Sequence, residues 1–410
     1  MIDYNNPCGE SDNWAASNNP AGGTPGQQNS VYATNPDNIS PKILQAVALS
    51  DSTVEVTFSE IIPLNVLQNA LYYIDNGINT TNISVLSNKK VILSVFPKLQ
   101  TGIEYTLSIT NGSDCVGNTL SPNSYSFALP QPAAIGDIII NEVLFNPYTG
   151  GDDFVEIYNN SDKYIDLYQW MLANYDDSVS NFKTVSQEHI IIEPHQFKVF
   201  TTDTNSIKQF YPEFNSKAFI QVSSLPTYAN DEGSVYLTDS NKTVIDFFNY
   251  SEDMHFSLLN STDGVSLERI SYSRPTNDKT NWHSAAEDVG FATPGLQNSQ
   301  YNESQGEQTI LSLSPEVFTP NNDGLNDVLN ISYQLPEPGY VGNITIYDDK
   351  GRLVKYLMRN ELLSAAGTIS WDGTTENNTK ALIGMYVIHF TAFNETGDKQ
   401  KAQVVGVVGE

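Results

Sequence analysis

A nine-residue phrase that occurs twice is the feature that most constrains this fold. It reads TPGQQNSVY at 24–32 and TPGLQNSQY at 293–301, with seven identical positions, and an Asn-Trp pair precedes each copy, ending at Trp14 and at Trp282. A long region of strand-like sequence precedes the second copy, whereas the first has little chain ahead of it. We therefore interpret the phrase as the end of a domain and expect Met1 to lie inside a truncated one. Both tryptophans are predicted to be core anchors rather than sugar-stacking platforms.

Composition favours strands and turns and excludes some classes of partner. The 410 residues suffice for about three domains, and the chain has 22 Tyr and 18 Phe but only 5 Met, which favours strands over helices. The 48 acidic and 20 basic residues give a formal charge of −28, which repels nucleic acid and anionic lipid. No apolar run reaches the roughly 20 residues that span a membrane. We expect no nucleic-acid partner and no direct membrane insertion.

The two cysteines, Cys8 and Cys115, fall in regions that we assign to different domains. A chain with larger cores does not need disulfides for stability. We therefore expect free thiols here, and a bridge between them is the less favoured alternative.

Two-residue periodicity marks 35–130 as a set of short strands. Apolar residues of 54–58 alternate with polar ones, as half-buried strands require. Roughly seven such strands and at most one short helix fit a β-sandwich. The motifs VEVTFSE at 54–60 and GIEYTL at 102–107, with the loop at 114–118, resemble the bacterial Ig-like modules of surface and S-layer proteins.

A second region, 131–302, carries strand-like segments at 138–143, 153–160 and 264–269, in that order, before the second phrase closes it. This succession resembles the lamin-tail domain, an Ig-fold sandwich that also occurs in secreted bacterial proteins. The resemblance implies that 1–34 is the terminal part of another, truncated lamin-tail-like domain.

After a polar linker at 303–308, the region 309–410 forms a third unit, with FTPNNDGLND at 318–327 and WDG at 371–373. It resembles the C-terminal Ig-like domain, related to hook-capping modules, of type IX secretion substrates and gliding-motility-associated proteins of the Bacteroidota. The resemblance implies the type IX secretion translocon and sorting machinery as partners, and an extracellular or outer cell-surface location. Many relatives end on a basic residue, whereas this chain ends at Glu410, so the subclass of sorting domain stays open.

A loop in this last region is the candidate metal site. Asn321, Asp323, Asn326 and Asp327 supply side-chain oxygens around Gly324. Hard cations such as Ca²⁺ take oxygen ligands at close spacing, and glycine permits the sharp turn. Because Asn, Asp and Gly also simply form turns, a structural turn is the alternative. Calcium is the one cofactor that the sequence suggests.

Four carboxylates, Glu142, Asp152, Asp153 and Glu156, could be assembled into a paired-carboxylate site for glycoside hydrolysis. Glu156 stands between two apolar residues of a strand, so we expect its side chain to face solvent. A salt bridge to a basic side chain such as Arg269 is therefore the favoured interpretation.

Other catalytic and metal-binding motifs are missing from the sequence. No nucleophile elbow and no phosphate-binding glycine loop occurs, and the histidines lack the i,i+4 spacing of a helical zinc motif. We expect them to be surface or strand residues. They are His189, His195, His255, His283 and His389.

Two further kinds of surface site are suggested by short patterns. Ser52 and Ser178 follow an aspartate, as in the O-glycosylation acceptor pattern of Bacteroidota. Exposed aromatic residues among Tyr168, Tyr175 and Tyr228 could form a glycan-binding face.

The sequence thus predicts an all-β protein built of tandem Ig-like β-sandwich domains. The functional hypothesis is a non-catalytic scaffold or adhesion portion of a secreted multidomain protein. The alternatives are the accessory tail of a secreted hydrolase, such as a nuclease or phosphatase, and a glycan-binding module. Surface glycans or other cell-surface proteins are the further candidate partners.

Overall fold

The computed structural model describes residues 1–303 and 310–409. The predicted linker residues 304–308 and the terminal Glu410 lie outside the described part. The fold is all-β, which confirms the predicted class. The chain forms two compact units, Met1–Pro132 with Asp162–Asp166 and Ala133–Ser161 with Leu167–Glu410. The predicted domain boundaries stay predictions.

The first unit contains one seven-stranded antiparallel sheet in the order β1-β2-β5-β4-β3-β6-β7, and its edge strands β1 and β7 contact each other, which closes it around a core. Helix α1 (Leu64–Asn69) and a 3₁₀ turn at Glu10–Asn13 are its helical elements. In β2 the apolar residues are buried and the alternating polar ones are half-buried, as the periodicity predicts. The strands are β1 (Ile43–Ser50), β2 (Thr53–Phe58), β3 (Leu71–Ile74), β4 (Asn79–Ser87), β5 (Lys90–Phe96), β6 (Glu104–Thr110) and β7 (Ser124–Ala128).

Cys8 and Cys115 form a disulfide in this unit, with their Cα atoms 5.9 Å apart. The prediction of free thiols is wrong. The N-terminal segment packs in the same unit as the loop that carries Cys115, and a sequence separation of 107 residues gave no sign of that proximity.

The second unit begins with what we call the middle sandwich, strands β8, β9 and β11 to β19, whereas β10 lies in the segment Asp162–Asp166 of the first unit. Its two larger sheets have the orders β12-β11-β16-β17 and β15-β14-β9-β8-β18-β19. Helix α2 (Thr204–Phe210) and 3₁₀ turns at Ser216–Ala218, Glu252–Met254, Lys279–Asn281 and Glu287–Val289 connect the strands. In chain order, the strands from β8 to β19 are β8 (Ile138–Leu144), β9 (Phe154–Asn159), β10 (Ile165–Asp166), β11 (Met171–Asp176), β12 (Ser178–Thr184), β13 (Ile191–Ile192), β14 (Phe197–Thr201), β15 (Phe219–Gln221), β16 (Glu232–Thr238), β17 (Val244–Ser251), β18 (Leu267–Arg269) and β19 (Trp282–Ser284).

The six-stranded sheet of the middle sandwich is covered on both faces. Every residue of β8 and β9 is buried. One face contacts the other sheet through β17. On the opposite face, Leu144 and Phe154 pack against Ile207 and Tyr211 at α2. Side chains on this outer face therefore lie away from water, even where the sequence is polar.

The C-terminal sandwich, strands β20 to β27, completes the second unit. Its sheets have the orders β20-β22-β25 and β21-β27-β26-β23-β24, and the fully buried Trp371 lies in the core between them. The strands are β20 (Leu311–Ser314), β21 (Val317–Phe318), β22 (Leu329–Gln334), β23 (Tyr340–Asp348), β24 (Leu353–Leu362), β25 (Ala366–Trp371), β26 (Gly384–Asn394) and β27 (Lys399–Val408).

Candidate functional site

Three glutamates form a row across the outer face of the six-stranded sheet. Glu142 on β8 stands opposite Glu156 on β9 and opposite Glu268 on β18. All three side chains are fully buried. Burial raises the pKa of Glu142, with the neighbouring Glu268 adding to the effect, and burial likewise raises the pKa of Glu156 and of Glu268. Such acids need hydrogen-bond donors to stay inside a protein.

The second copy of the repeated phrase, which we call the closing phrase (293–301), supplies those donors. The Thr293 amide donates to Glu142 Oε1 at 3.0 Å, and its hydroxyl donates to Glu268 Oε1 at 2.7 Å. The Gly295 amide donates to Glu156 Oε2 at 2.5 Å. The Ser299 hydroxyl and the Gln300 amide both donate to Glu268 Oε2, at 2.7 and 2.9 Å. The closing phrase therefore holds three strands together through their acidic side chains.

Gly295 is required at its position. Its φ is 82°, in the left-handed region that favours glycine. A Cβ there would lie 2.8 Å from the Asn215 carbonyl oxygen and 2.9 Å from the Ala218 Cβ. The glycine thus lets the phrase approach both Glu156 and the 3₁₀ turn at Ser216–Ala218.

Asn298 connects the closing phrase to the main chain of two strands. Its amide nitrogen donates to the carbonyl oxygens of Asn141 and Arg269, each at 2.9 Å. Its amide oxygen accepts from Asn141 Nδ2 at 2.6 Å. Asn298 therefore fixes the closing phrase to β8 and β18, beside the buried acidic row.

The first copy keeps the local geometry of the second. Ile2 N donates to Asn13 O at 2.7 Å, and Ile270 N donates to Asn281 O at 2.8 Å. Asn13 and Asn281 each exchange two side-chain bonds with the main chain of the residue ten positions earlier. The Tyr4 and Tyr32 rings also stack, with centroids 5.8 Å apart. The two copies are therefore similar in local structure as well as in sequence.

The tryptophans that precede the two copies differ in how deeply they are buried. Trp282 is 4% exposed, stacks on Phe248 at 3.8 Å and donates from Nε1 to the Thr276 carbonyl at 2.6 Å, as a core anchor should. Trp14 is 61% exposed, so the prediction that it is a core anchor is wrong. Within the described residues no sandwich packs over the first copy.

The predicted paired-carboxylate arrangement is also corrected. Glu156 does not face solvent, because α2 and the closing phrase cover that face of the sheet. Full burial of Glu142 and Glu156 keeps both carboxylates from any substrate. Asp152 accepts from the Thr202 hydroxyl at 2.5 Å, and burial followed by the charge of Asp152 raises the pKa of Asp153 to about 7.

Arg269 is not the partner of these acids. Its guanidinium lies 4.0 Å from Asp246 Oδ2 and donates to the carbonyl oxygens of Ile140 and Arg274, both at 3.0 Å. Burial lowers its pKa to about 10, against the opposing charge of Asp246. The predicted salt bridge from these acids to Arg269 is therefore wrong, because Arg269 lies beside a carboxylate of β17 instead.

Side-chain oxygens of the predicted calcium loop accept hydrogen bonds from main-chain amides of the same loop. Asp327 accepts from the amides of Asn322 and Gly324 at 2.5 and 2.8 Å. The Asp323 amide donates to Asn321 Oδ1 at 2.9 Å, and Asn326 has a φ of 54°. These contacts are those of the structural-turn alternative, and calcium binding at this loop stays a prediction.

The histidines lie where strands and turns place them. His255 is buried, its Nδ1 lies 3.0 Å from the Ser284 hydroxyl, and burial together with His283 lowers its pKa to about 4. His189 stacks on Tyr168. No cluster of three metal-ligating side chains in the described part of the chain includes a histidine.

The predicted surface sites are only partly accessible. Tyr168 and Tyr175 are exposed, whereas Tyr228 is buried and cannot belong to a glycan-binding face. Ser178 is exposed as the first residue of β12, and Ser52 is half-buried in the β1–β2 turn. Modification of either serine stays a prediction.

The closing phrase also contacts the C-terminal sandwich. Ala365 N donates to the Ser299 carbonyl at 2.8 Å, and Gln300 Nε2 donates to the Leu363 carbonyl at 3.2 Å. Nearby, Asp288 accepts from the Tyr333 hydroxyl and from the Ser364 hydroxyl, the latter at 2.7 Å. One segment thus closes one sandwich and holds the next. Nothing in the sequence alone marked Asp288 or Glu268, although Glu268 follows the apolar Leu267 in a fully buried strand.

Three family models match successive parts of the chain. They are a bacterial Ig-like domain over residues 28–128, the lamin tail domain over 131–252 and the CHU_C type IX secretion signal domain over 312–407. No match was found among curated proteins. In the described part of the chain, no helix combines the length and apolar character needed to cross a membrane.

The solved structures that this chain matches include surface proteins, at low identity and low TM-score. Domains 1–6 of the surface layer protein SbsC share 10% identity over 91% of this chain and 55% of that one, with a TM-score of 0.21. PorZ, a surface component of the type IX secretion system of Porphyromonas gingivalis, shares 11% identity over 90% and 51%, with a TM-score of 0.21. A DUF4876 family protein from Bacteroides thetaiotaomicron shares 12% identity over 62% and 94%, with a TM-score of 0.23. The chain spans about half the length of the S-layer structures that it matches.

Proposed function

The chain contains a bacterial Ig-like domain, a lamin tail domain and a type IX secretion signal domain, and from this we infer that it is a scaffold or adhesion portion of a secreted surface protein. These are non-catalytic kinds of domain. The match of residues 312–407 to the secretion signal domain is the observation that carries the proposal. The partners that it implies are the translocon and sorting machinery of the type IX system.

The structure supports a mechanical role. A scaffold must transmit force between domains without unfolding, and buried hydrogen-bonded networks make a fold rigid and specific. The closing phrase contacts three strands of the middle sandwich and the main chain of Leu363 in the C-terminal sandwich. The negative charge of the chain keeps such a surface soluble outside the cell.

Export is the experiment that tests this proposal. The full chain and a version lacking 312–407 are each expressed behind a signal peptide in a bacterium with a type IX system, and surface location is measured by protease accessibility on intact cells. We expect the full chain to reach the surface and the shortened chain to stay inside the outer membrane. Surface delivery of both would contradict the assignment of the C-terminal domain as the export signal.

Glycan binding is a second candidate function, favoured by a row of aromatic rings on the four-stranded sheet of the middle sandwich. Tyr175 lies 6.2 Å from Tyr236, which stacks on Phe247 at 5.2 Å. Tyr175 is 56% exposed. Solvent-facing rings in a row offer a surface on which sugar rings can pack. Binding of the full chain and of Tyr175→Ala to a glycan array tests this proposal. Equal signals from both proteins would contradict glycan binding by this aromatic row.

We also propose that 1–34 is equivalent to the terminal part of a lamin-tail-like domain. The hydrogen bonds and the pair of neighbouring tyrosine rings that it shares with 270–301 support this. Exchanging Leu296 and Gln300 for the residues of the first copy, as Leu296→Gln with Gln300→Val, should leave the middle sandwich folded. Loss of its thermal transition would contradict the equivalence.

A further inference from the structure

Three carboxylates from separate parts of the sequence meet at one end of the first unit. Asp37 precedes β1, Glu60 follows β2, and Asp114 lies in the connection between β6 and β7. Each offers an oxygen within 4.8 Å of an oxygen of the other two. Like charges at this separation repel, so the arrangement needs a compensating interaction.

The surrounding loop holds this acidic group in place. Asp114 is buried, and its Oδ1 accepts from the amides of Val116, Gly117 and Asn118 at 2.7 to 2.9 Å. Asn118 Nδ2 donates to Asp114 Oδ2 at 2.7 Å and to the Asp37 carbonyl oxygen at 3.1 Å. The carboxylates are therefore positioned by the main chain rather than brought together by flexible side chains.

Two further oxygens at this place have no hydrogen-bond partner. Glu60 Oε1 and Asn6 Oδ1 are both buried without a partner among the described residues. The Asn6 side chain is 4% exposed, and its nitrogen already donates to the Asn35 carbonyl at 3.1 Å. A buried unpaired acceptor costs about 1–3 kcal/mol, so each of these oxygens lacks a ligand that would satisfy it.

A cavity of about 340 Å³ lies at this place and is lined by Asn6, Asp37 and Glu60. Asp114 is outside that lining, but it offers an oxygen within 4.8 Å of the oxygens of Asp37 and Glu60. A water molecule occupies about 30 Å³ in the liquid, so the cavity has room for an ion with several waters. Its lining includes further acidic residues, Glu10 and Asp12. The site is thus concave, acidic and rich in oxygen.

The protein itself supplies little positive charge here. Lys89 Nζ is bound to Glu10 Oε2 at 2.7 Å and donates to the Ser59 carbonyl at 3.4 Å. Burial raises the pKa of Glu60, the charges of Asp37, Asp114 and Glu10 raise it further, and Lys89 only partly opposes them. A bound cation would reverse this imbalance.

We propose that this cavity is a calcium site whose ligands are the carboxylates of Asp37, Glu60 and Asp114 and the amide oxygen of Asn6. Ca²⁺ takes six to eight oxygen ligands in flexible geometry, which three carboxylates, an amide oxygen and waters provide. Zinc prefers nitrogen and sulfur ligands, and the site offers only oxygens. The ion joins the N-terminal segment, the end of β2 and the loop beside Cys115. It would therefore stiffen the first unit in the calcium-rich medium outside a cell.

Calorimetric titration of the full chain with Ca²⁺ tests the proposal, with the melting temperature as a second readout. We expect one binding event at this site with a Kd of about 10⁻⁴–10⁻³ M, the range of extracellular modules, and a rise in melting temperature. Glu60→Gln and Asp37→Asn keep the shape of each side chain and remove a charge. Each should weaken binding by about tenfold or more.

Matched variants separate this site from others. Glu55→Gln removes a carboxylate of β2 that pairs with Lys90 at 2.8 Å, and Asp327→Asn removes one from the loop at 321–327. Neither should change the binding event assigned to the cavity. An unaltered affinity in Glu60→Gln, or a loss of binding in Asp327→Asn alone, would overturn the proposal. So would the absence of both heat and a melting shift in the unmodified chain, or equal binding of Mg²⁺.

Discussion

The row of Glu142, Glu156 and Glu268 shows how single residues decide the behaviour of this fold. Three fully buried acids lie side by side, and each accepts hydrogen bonds from the closing phrase. Transferring a charge from water into the protein interior is costly, so burial favours the protonated, neutral form of a glutamate. The acidic row therefore ties the stability of the middle sandwich to pH.

The pH dependence has a definite sign. A glutamate in an unfolded chain titrates near pH 4.3, whereas burial raises the pKa of Glu142 to about 8 in the folded protein. Between these values the folded state binds more protons, so the free energy of unfolding falls as pH rises from about 5 to 8. Glu142→Gln removes this titration, and its stability should fall less over the same range. Denaturant unfolding of both proteins at each pH measures the difference, and parallel curves would contradict the assignment.

Asn298 allows a comparison within one chain, because Asn29 occupies the same position of the first copy. Asn298→Ala leaves buried carbonyl oxygens without donors, so we expect a loss of about 2–4 kcal/mol in the free energy of unfolding. Asn29 is exposed and its side chain donates to the Met1 carbonyl in an exposed hydrogen bond, so Asn29→Ala should change stability by less than about 0.5 kcal/mol. Chemical denaturation measures both. Equal effects would mean that Asn298 does not hold the closing phrase to β8 and β18.

Among the elements, the N-terminal segment is fixed to the Ig-like sheet by the disulfide of Cys8 and Cys115. Closing a loop of this length restricts the unfolded chain, which stabilises the folded state by about 2–4 kcal/mol. The double variant Cys8→Ser with Cys115→Ser should therefore lower the melting temperature of the first unit, as measured by calorimetry. A reducing agent should lower it in the natural chain and leave the variant unchanged. A variant as stable as the natural chain would contradict a structural role for the bridge.

The sequence predicted those strands in which the alternation of apolar and polar residues matches the burial of the two faces. In β2 the alternation of apolar and polar residues determines which face is inside, and the structure confirms it. Glu156 follows the same alternation, but α2 and the closing phrase cover the face on which it lies. The alternation therefore predicted wrongly that its side chain faces solvent. Covering of an outer face depends on segments far along the chain. The disulfide and the group at Asp37 were missed for the same reason.

At the scale of the whole molecule, one short polar segment stabilises two neighbouring sandwiches. The closing phrase satisfies the buried acids of the middle sandwich, and its last residues bond to the main chain of the C-terminal sandwich. In a chain whose C-terminal region matches a secretion signal domain, this arrangement holds that domain against the one before it. The two sandwiches of the second unit should therefore unfold together.

Asp288 provides the test of that cooperativity. Its carboxylate accepts from the Tyr333 hydroxyl and from the amide and hydroxyl of Ser364, so Asp288→Ala leaves three donors of the C-terminal sandwich without their acceptor. Each costs about 1–3 kcal/mol if it stays buried. Calorimetry should resolve two transitions in this variant where the natural second unit shows one. The neighbouring Glu287 is exposed, so Glu287→Ala should keep the single transition, because it removes a charge of the same turn without removing a contact with Tyr333 or Ser364. A single transition in Asp288→Ala would show that the apolar contact of Phe256 with Val341 and Leu362 is enough to couple the sandwiches.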